Sequence, residues 1–126
     1  GRASQLTLDA CFLSGLIKIK TQLNSELQTA WRPKNIYHYI QAQYLEPDFV
    51  VDISDFIEKK MEAVLAYKTQ FHNPDSKEPE TFISSRQFLD SVRSRNLSQG
   101  IQAGYQFAEG FVKTRYVGVE DLRDLK

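Results

Sequence analysis

The sequence predicts an α/β fold, and three observations lead there. Apolar residues recur at steps of three and four over residues 4–20, the stretch "NIYHYI" alternates with a period of two, and "EPDFVVDIS" is a nearly continuous apolar run that leads into an amphipathic helix. The chain has 126 residues, 41% of them apolar. That is enough to bury one core, and residues 1–126 read as a single segment of a soluble globular protein.

The elements follow in order. Leu6, Ala10, Leu13 and Ile17, with Leu16 beside them, make one face of a helix from Ser4 to about Lys20. The polar stretch "TQLNSELQTAWRP" ends at Pro33, which disfavours helix at Arg32 and reads as a loop entering a strand. In that strand Ile36, His38 and Ile40 face one way, Tyr37 and Tyr39 the other. The second strand, "EPDFVVDIS", has the pattern of one covered on both faces, so a sheet with helices on both sides is expected. Ser54 is a good N-cap, with Asp55 and Glu58 where negative charge suits the dipole, for a helix running to about Gln70 along Ile57, Met61, Val64 and Leu65. "HNPDSKEPET" is a loop, long enough to serve a function. Ser84 or Ser85 caps a helix through Phe88, Leu89 and Val92 toward Leu97, with Gly100 and Gly104 breaking it. "YQFAEGFVKTRYVG" supplies a last strand and turn before a charged tail.

Only about three strands are visible, and one covered on both faces needs further neighbours. The chain therefore reads as the second part of something larger, in agreement with helical periodicity that begins almost at once.

Sixteen basic residues balance sixteen acidic ones without a basic block, so neither nucleic acid nor a membrane surface is expected as a partner. The single cysteine, Cys11, cannot form an intramolecular disulfide, and no signal segment or long apolar span occurs. A reducing, cytoplasmic setting follows. His38 and His72 are the only histidines and have no metal-ligand spacing, so no metal site is expected within these residues. No nucleophile elbow, dinucleotide fingerprint or phosphate loop is present. His38 reads as a hydrogen-bonded strand residue. Arg32, after Trp31, is either a surface residue stacked on an aromatic or a carboxylate clamp at a strand mouth. Glu109, in the apolar "QFAEGF", has to be exposed, paired or functional, because an unpaired acid in such a setting costs several kcal/mol.

The segments "YHYIQ", "PDFVVDISDFIEKKMEAVLAYKTQF", "SKEPET" and "AEGF", in this order and spacing, resemble the C-terminal half of the bacillithiol-biosynthesis deacetylases. These are the N-acetylglucosaminyl-malate deacetylases among the LmbE-like, or PIG-L, zinc hydrolases. The resemblance extends over essentially the whole chain and implies the C-terminal portion of a Rossmann-like three-layer α/β/α sandwich. It implies hydrolysis of the acetamide of an N-acetyl sugar conjugate, N-acetylglucosaminyl malate, to glucosaminyl malate and acetate. Zn2+ would polarise the carbonyl and activate a water that an aspartate deprotonates. In the family the last zinc-binding histidine directly precedes a segment like "GRASQLTLDACFLSGL", so the ligands and the catalytic aspartate are expected upstream of Gly1.

What these residues then supply is a pocket wall. By the resemblance, Arg32 would pair with a malate carboxylate. Phe88 stands where some relatives carry a tyrosine that helps the oxyanion, a donor phenylalanine lacks. Glu109, from "AEGF", would be a paired acid near the pocket that orients His38, Arg32 or an upstream histidine. Tyr37 and Gln70 complete the set. Relatives form homo-oligomers, hexamers among them, and the same is expected here. Two other readings stand beside this one: a related deacetylase of another N-acetyl sugar, and a non-catalytic fragment or interaction module.

Overall fold

A computed structural model describes residues 1–41 and 43–125, which form mixed α/β structure with small antiparallel sheets. Lys126, the end of the predicted charged tail, lies outside the described residues. The chain divides into two compact units, Gly1–His38 with Lys113–Val119, and Tyr39–Val112 with the residues from Glu120 onward. No helix is long and apolar enough to cross a membrane among the described residues.

In the first unit, helix α1 spans Arg2–Ser14 and not the predicted 4–20. The apolar period continues to Ile17, but the backbone leaves the helix at Gly15: Leu16 N–H donates to Leu13 O at 3.0 Å and Ile19 N–H to Leu16 O at 3.0 Å, tight turns in place of i→i+4 bonds. Strands β1 (Gln22–Leu23) and β2 (Glu26–Leu27) then form a hairpin inside the stretch expected to be loop. Asn24 and Ser25 at its tip both have positive φ, 51° and 68°, the conformation a two-residue hairpin turn demands. Asn tolerates that region well and Ser poorly, so the sequence signal for the turn is faint. Strand β3 (Tyr37–Tyr39) keeps the predicted alternation, with Tyr37 and Tyr39 exposed and His38 half-buried.

In the second unit, β4 (Phe49–Asp52) and β5 (Ala108–Lys113) pair antiparallel, with Phe49 opposite Phe111 and Val51 opposite Glu109. The sheet order is β3-β5-β4. Among the described residues β4 is an edge strand with Val51 45% exposed, so these residues do not supply the second cover that its apolar run predicts. The apolar run instead supplies the Phe49–Phe111 stack, whose ring centroids lie 5.6 Å apart.

Helix α2 spans Ile57–Leu65, shorter at both ends than predicted. Ser54 does not cap it. Its hydroxyl donates to Asp52 Oδ1 at 2.6 Å and accepts from Phe107 N–H at 3.2 Å, tying the end of β4 to the start of β5, and a 3-10 turn fills Ser54–Phe56. After Leu65 the chain runs through turns, and residues 72–81 form the predicted loop without helix or strand. Helix α3 (Arg86–Ala103) is capped by Ser85, whose Oγ accepts from Phe88 N–H at 3.1 Å. It ends at Gly104 in the left-handed region, φ 78°, as a C-terminal glycine commonly does.

Gly100 does not break α3 but lies within it. A Cβ there would sit 2.8 Å from Phe107 Cα and 2.9 Å from Gln106 O, so glycine is what allows the chain entering β5 to lie against the helix. The core comprises Ile57, Phe88, Leu89, Val92, Phe107 and Ala108, with Ile40 at the start of the unit. Asn96 is buried among them, and its Nδ2 donates to Ala108 O at 2.8 Å, pinning β5 to α3.

Candidate functional site

Alternation along β5 sets the site. Gly110 faces α3 across Gln99, and the neighbouring Glu109 side chain reaches Lys60 of α2. There Lys60 Nζ donates to Glu109 Oε1 at 2.6 Å, with the two side chains 21% and 26% exposed. Glu109 is therefore a paired acid, and its partner is a lysine that sequence reasoning did not name. Lys60 lies three residues after buried Ile57 and four before Val64, on the inward stripe of α2. That position was the available signal, but "EKK" reads as an ordinary solvated run.

The pair lines a cleft of about 350 Å3 in the second unit. Arg95 of α3 enters the same cleft, and its guanidinium donates to the Gln41 carbonyl oxygen. Burial pushes the Arg95 guanidinium below its ordinary pKa, and the Glu109 charge opposes that shift. An arginine remains charged throughout. The cleft so holds two cations around one carboxylate, with one carboxylate oxygen tied to Lys60. Such an arrangement can receive an anionic group at the cations and a hydroxyl or amide N–H at the carboxylate.

Gln70, Phe88 and Glu109, from three separate stretches, come together on this cleft. Gln70 lies in the exposed turn after α2. Phe88 is a core residue, stacked on Phe71 with centroids 5.7 Å apart and edge-on to Phe82 at 5.5 Å. Its ring also lines the cleft.

Arg32, Tyr37 and His38 belong to the first unit. Arg32 Nη2 donates to Phe12 O at 2.9 Å, and the guanidinium lies 4.8 Å from the centre of the Phe12 ring. It stacks on an aromatic, as one of its two readings has it, and satisfies a carbonyl in the last turn of α1, where a cation also suits the helix dipole. The aromatic is Phe12, not the neighbouring Trp31. His38 Nδ1 lies 3.3 Å from Ser4 Oγ, while its buried Nε2 has no hydrogen-bond partner among the described residues. Tyr37 is on the exposed face of β3.

Among the described residues no three His, Cys, Asp or Glu side chains gather as metal ligands. Among the described residues Glu109 is the lone carboxylate lining the cleft, and it is paired with Lys60. These side chains do not fit a zinc ion.

No family model matches the chain. Its fold is similar to the crystal structure of the conserved protein TT1542 from Thermus thermophilus, with a TM-score of 0.74 and 26% sequence identity over 93% of this chain. The match covers 46% of the Thermus chain, so this chain spans less than half the length of that protein.

Proposed function

We propose that this chain is the substrate-binding part of a zinc-dependent N-deacetylase acting on N-acetylglucosaminyl malate in bacillithiol biosynthesis, built on the LmbE-like three-layer sandwich. The observation that carries the reading is convergence: "DFIEKK", "YKTQF" and "AEGF", segments on which the resemblance rests, contribute Lys60, Gln70 and Glu109 to one cleft. The likeness to a chain about twice as long supports the view that these residues work within a larger protein.

The part played by these residues is binding and orientation. Lys60 and Arg95 attract the malate carboxylates, with the Arg95 fork matching a carboxylate better than a point charge would. Glu109 accepts from a sugar hydroxyl through its second oxygen while Lys60 fixes the first. Phe71 and Phe88 supply the apolar floor. On the same reading the protein assembles as a homo-oligomer, which sedimentation of the natural polypeptide would check.

The test is acetate release from N-acetylglucosaminyl malate by the natural polypeptide that carries these residues, with zinc added. Turnover of the malate conjugate over N-acetylglucosamine by about tenfold or more is the expected result. Preference for plain N-acetylglucosamine would point to the deacetylase of another N-acetyl sugar, and no acetate release from either would leave the non-catalytic interaction module. Arg32→Ala should raise KM if Arg32 clamps a malate carboxylate, and unchanged kinetics would confine it to holding α1.

A further inference from the structure

The charges, balanced over the whole sequence, are unevenly shared. The unit of residues 1–38 and 113–119 carries seven basic side chains against two acidic ones. It also carries a groove of about 340 Å3, walled by Ala10 and Leu13 of α1, Ile19, and Ala30 with Trp31. Backbone bonds hold these walls in place: Trp31 N–H donates to Ser14 O and Gln28 N–H to Thr21 O, each at 2.9 Å. Leu13, Ile19 and Trp31 are 45%, 42% and 68% exposed, and the exposed Lys18 and Lys20 flank Ile19 in the chain. The groove is therefore preformed, apolar along three side chains, and has cations beside it.

A turn near the end of the chain has the complementary character. Residues 120–125 read "EDLRDL", with three acids, one arginine and two leucines. The Asp121 carboxylate accepts from Arg123 N–H at 2.9 Å and pairs with the Arg123 guanidinium at 2.6 Å, which closes a 3-10 turn over Leu122–Asp124. With Arg123 matched by Asp121, Glu120 and Asp124 leave the segment negative. In such a turn side chains three apart lie above one another, so Leu122 and Leu125 share a face, and they are 79% and 58% exposed. The turn is thus ordered by its own side chains while both leucines stand in water. A segment already in shape loses little entropy on docking.

The two surfaces match in kind and in sign: an apolar groove beside cations, and an acidic turn that offers two apolar anchors. We propose that the groove receives the turn at residues 120–125 of a second copy of this chain, with Leu122 and Leu125 entering beside Leu13, Ile19 and Trp31, and Lys18 and Lys20 facing Glu120 and Asp124. The apolar contact supplies affinity, and the charges supply orientation and a dependence on salt. Each copy carries both halves of the contact, so the contact repeats from copy to copy until the assembly closes. It rests on these two surfaces and stands without the deacetylase reading.

A fluorescein-labelled peptide of residues 117–126 tests it by anisotropy. The receptor is the natural polypeptide carrying Leu122→Ser and Leu125→Ser, so that its own turn does not compete. Saturable binding with a midpoint of about 10–300 µM is expected, and binding at least about tenfold weaker for a peptide with the same two substitutions. Lys18→Glu with Lys20→Glu in the receptor should weaken binding about tenfold at low salt, and about 0.5 M NaCl should weaken the parent contact similarly. In sedimentation, the polypeptide with Leu122→Ser and Leu125→Ser should run as a smaller species than the parent. No saturable binding up to about 1 mM overturns the proposal and means that something other than this turn covers the groove. Equal binding by the substituted peptide, or unchanged sedimentation of the substituted polypeptide, overturns it as well.

Discussion

Helices α1 and α3 use their side chains in opposite ways. In α1, whose apolar residues follow the helical period, Leu6 is 69% and Leu13 45% exposed, and no side chain is buried. In α3 the buried set is Phe88, Leu89 and Val92 followed by Asn96, Gln99 and Gly100, so half of it is polar or has no side chain. An apolar period reports that a helix forms, and says nothing of what lies against it. What draws α3 inward past Val92 is strand β5, which approaches over Gly100 and is pinned by Asn96. Burial there rests on hydrogen-bond and steric complementarity that no periodicity reveals.

Six substitutions and one titration would break or sharpen this contrast. Asn96→Leu removes the bond to Ala108 O and leaves that carbonyl unpaired beside a larger side chain, and should cost about 2–4 kcal/mol in urea unfolding. Gly100→Ala gains about 1 kcal/mol of helix propensity yet drives a methyl into the Phe107 backbone, for a net loss of about 1–3 kcal/mol. A gain would show that β5 does not need the close approach. Lys60→Ala strands the half-buried Glu109 carboxylate and should cost about 1–3 kcal/mol, and adding Glu109→Gln should recover part of that in a double-mutant cycle.

The Glu58–Arg93 pair, at 2.5 Å, links α2 to α3 on the solvent side. Hydrogen bonding to Arg93 holds the Glu58 carboxyl below its ordinary pKa. A depressed folded-state pKa stabilises above the unfolded value, and that contribution is lost as pH falls through the folded one. NMR titration should therefore find Glu58 titrating below the usual glutamate value of about 4.3, with Arg93→Gln moving it back up. Leu6→Ala is the smallest effect, within about 0.5 kcal/mol, and a loss of several kcal/mol would mean that α1 is packed after all.

Much of this was legible from short-range pattern. The Ser85 cap, the turn-rich loop over 72–81 and the alternation through β3 are local signals, written within a few residues of the structure they specify. That Glu109 had to be accommodated was also legible, because an acid in "QFAEGF" raises the question by itself. Its answer was not. Lys60 stands 49 residues away and Arg95 on another helix, and neither leaves a mark near "AEGF". Phe88 was read through a missing hydroxyl, while its role in the fold is to stack between Phe71 and Phe82. The Asn24-Ser25 hairpin escaped because neither residue is the glycine that usually announces positive φ.

The most direct measurement is the kinetics of acetate release from N-acetylglucosaminyl malate by the natural polypeptide and its Glu109→Gln variant, each first shown to be equally folded. If the Glu109–Lys60–Arg95 cleft binds the substrate, KM should rise about tenfold in the variant, about 1.4 kcal/mol of lost binding. Equal KM and kcat in parent and variant would contradict that account and leave the ion pair a structural tie between β5 and α2.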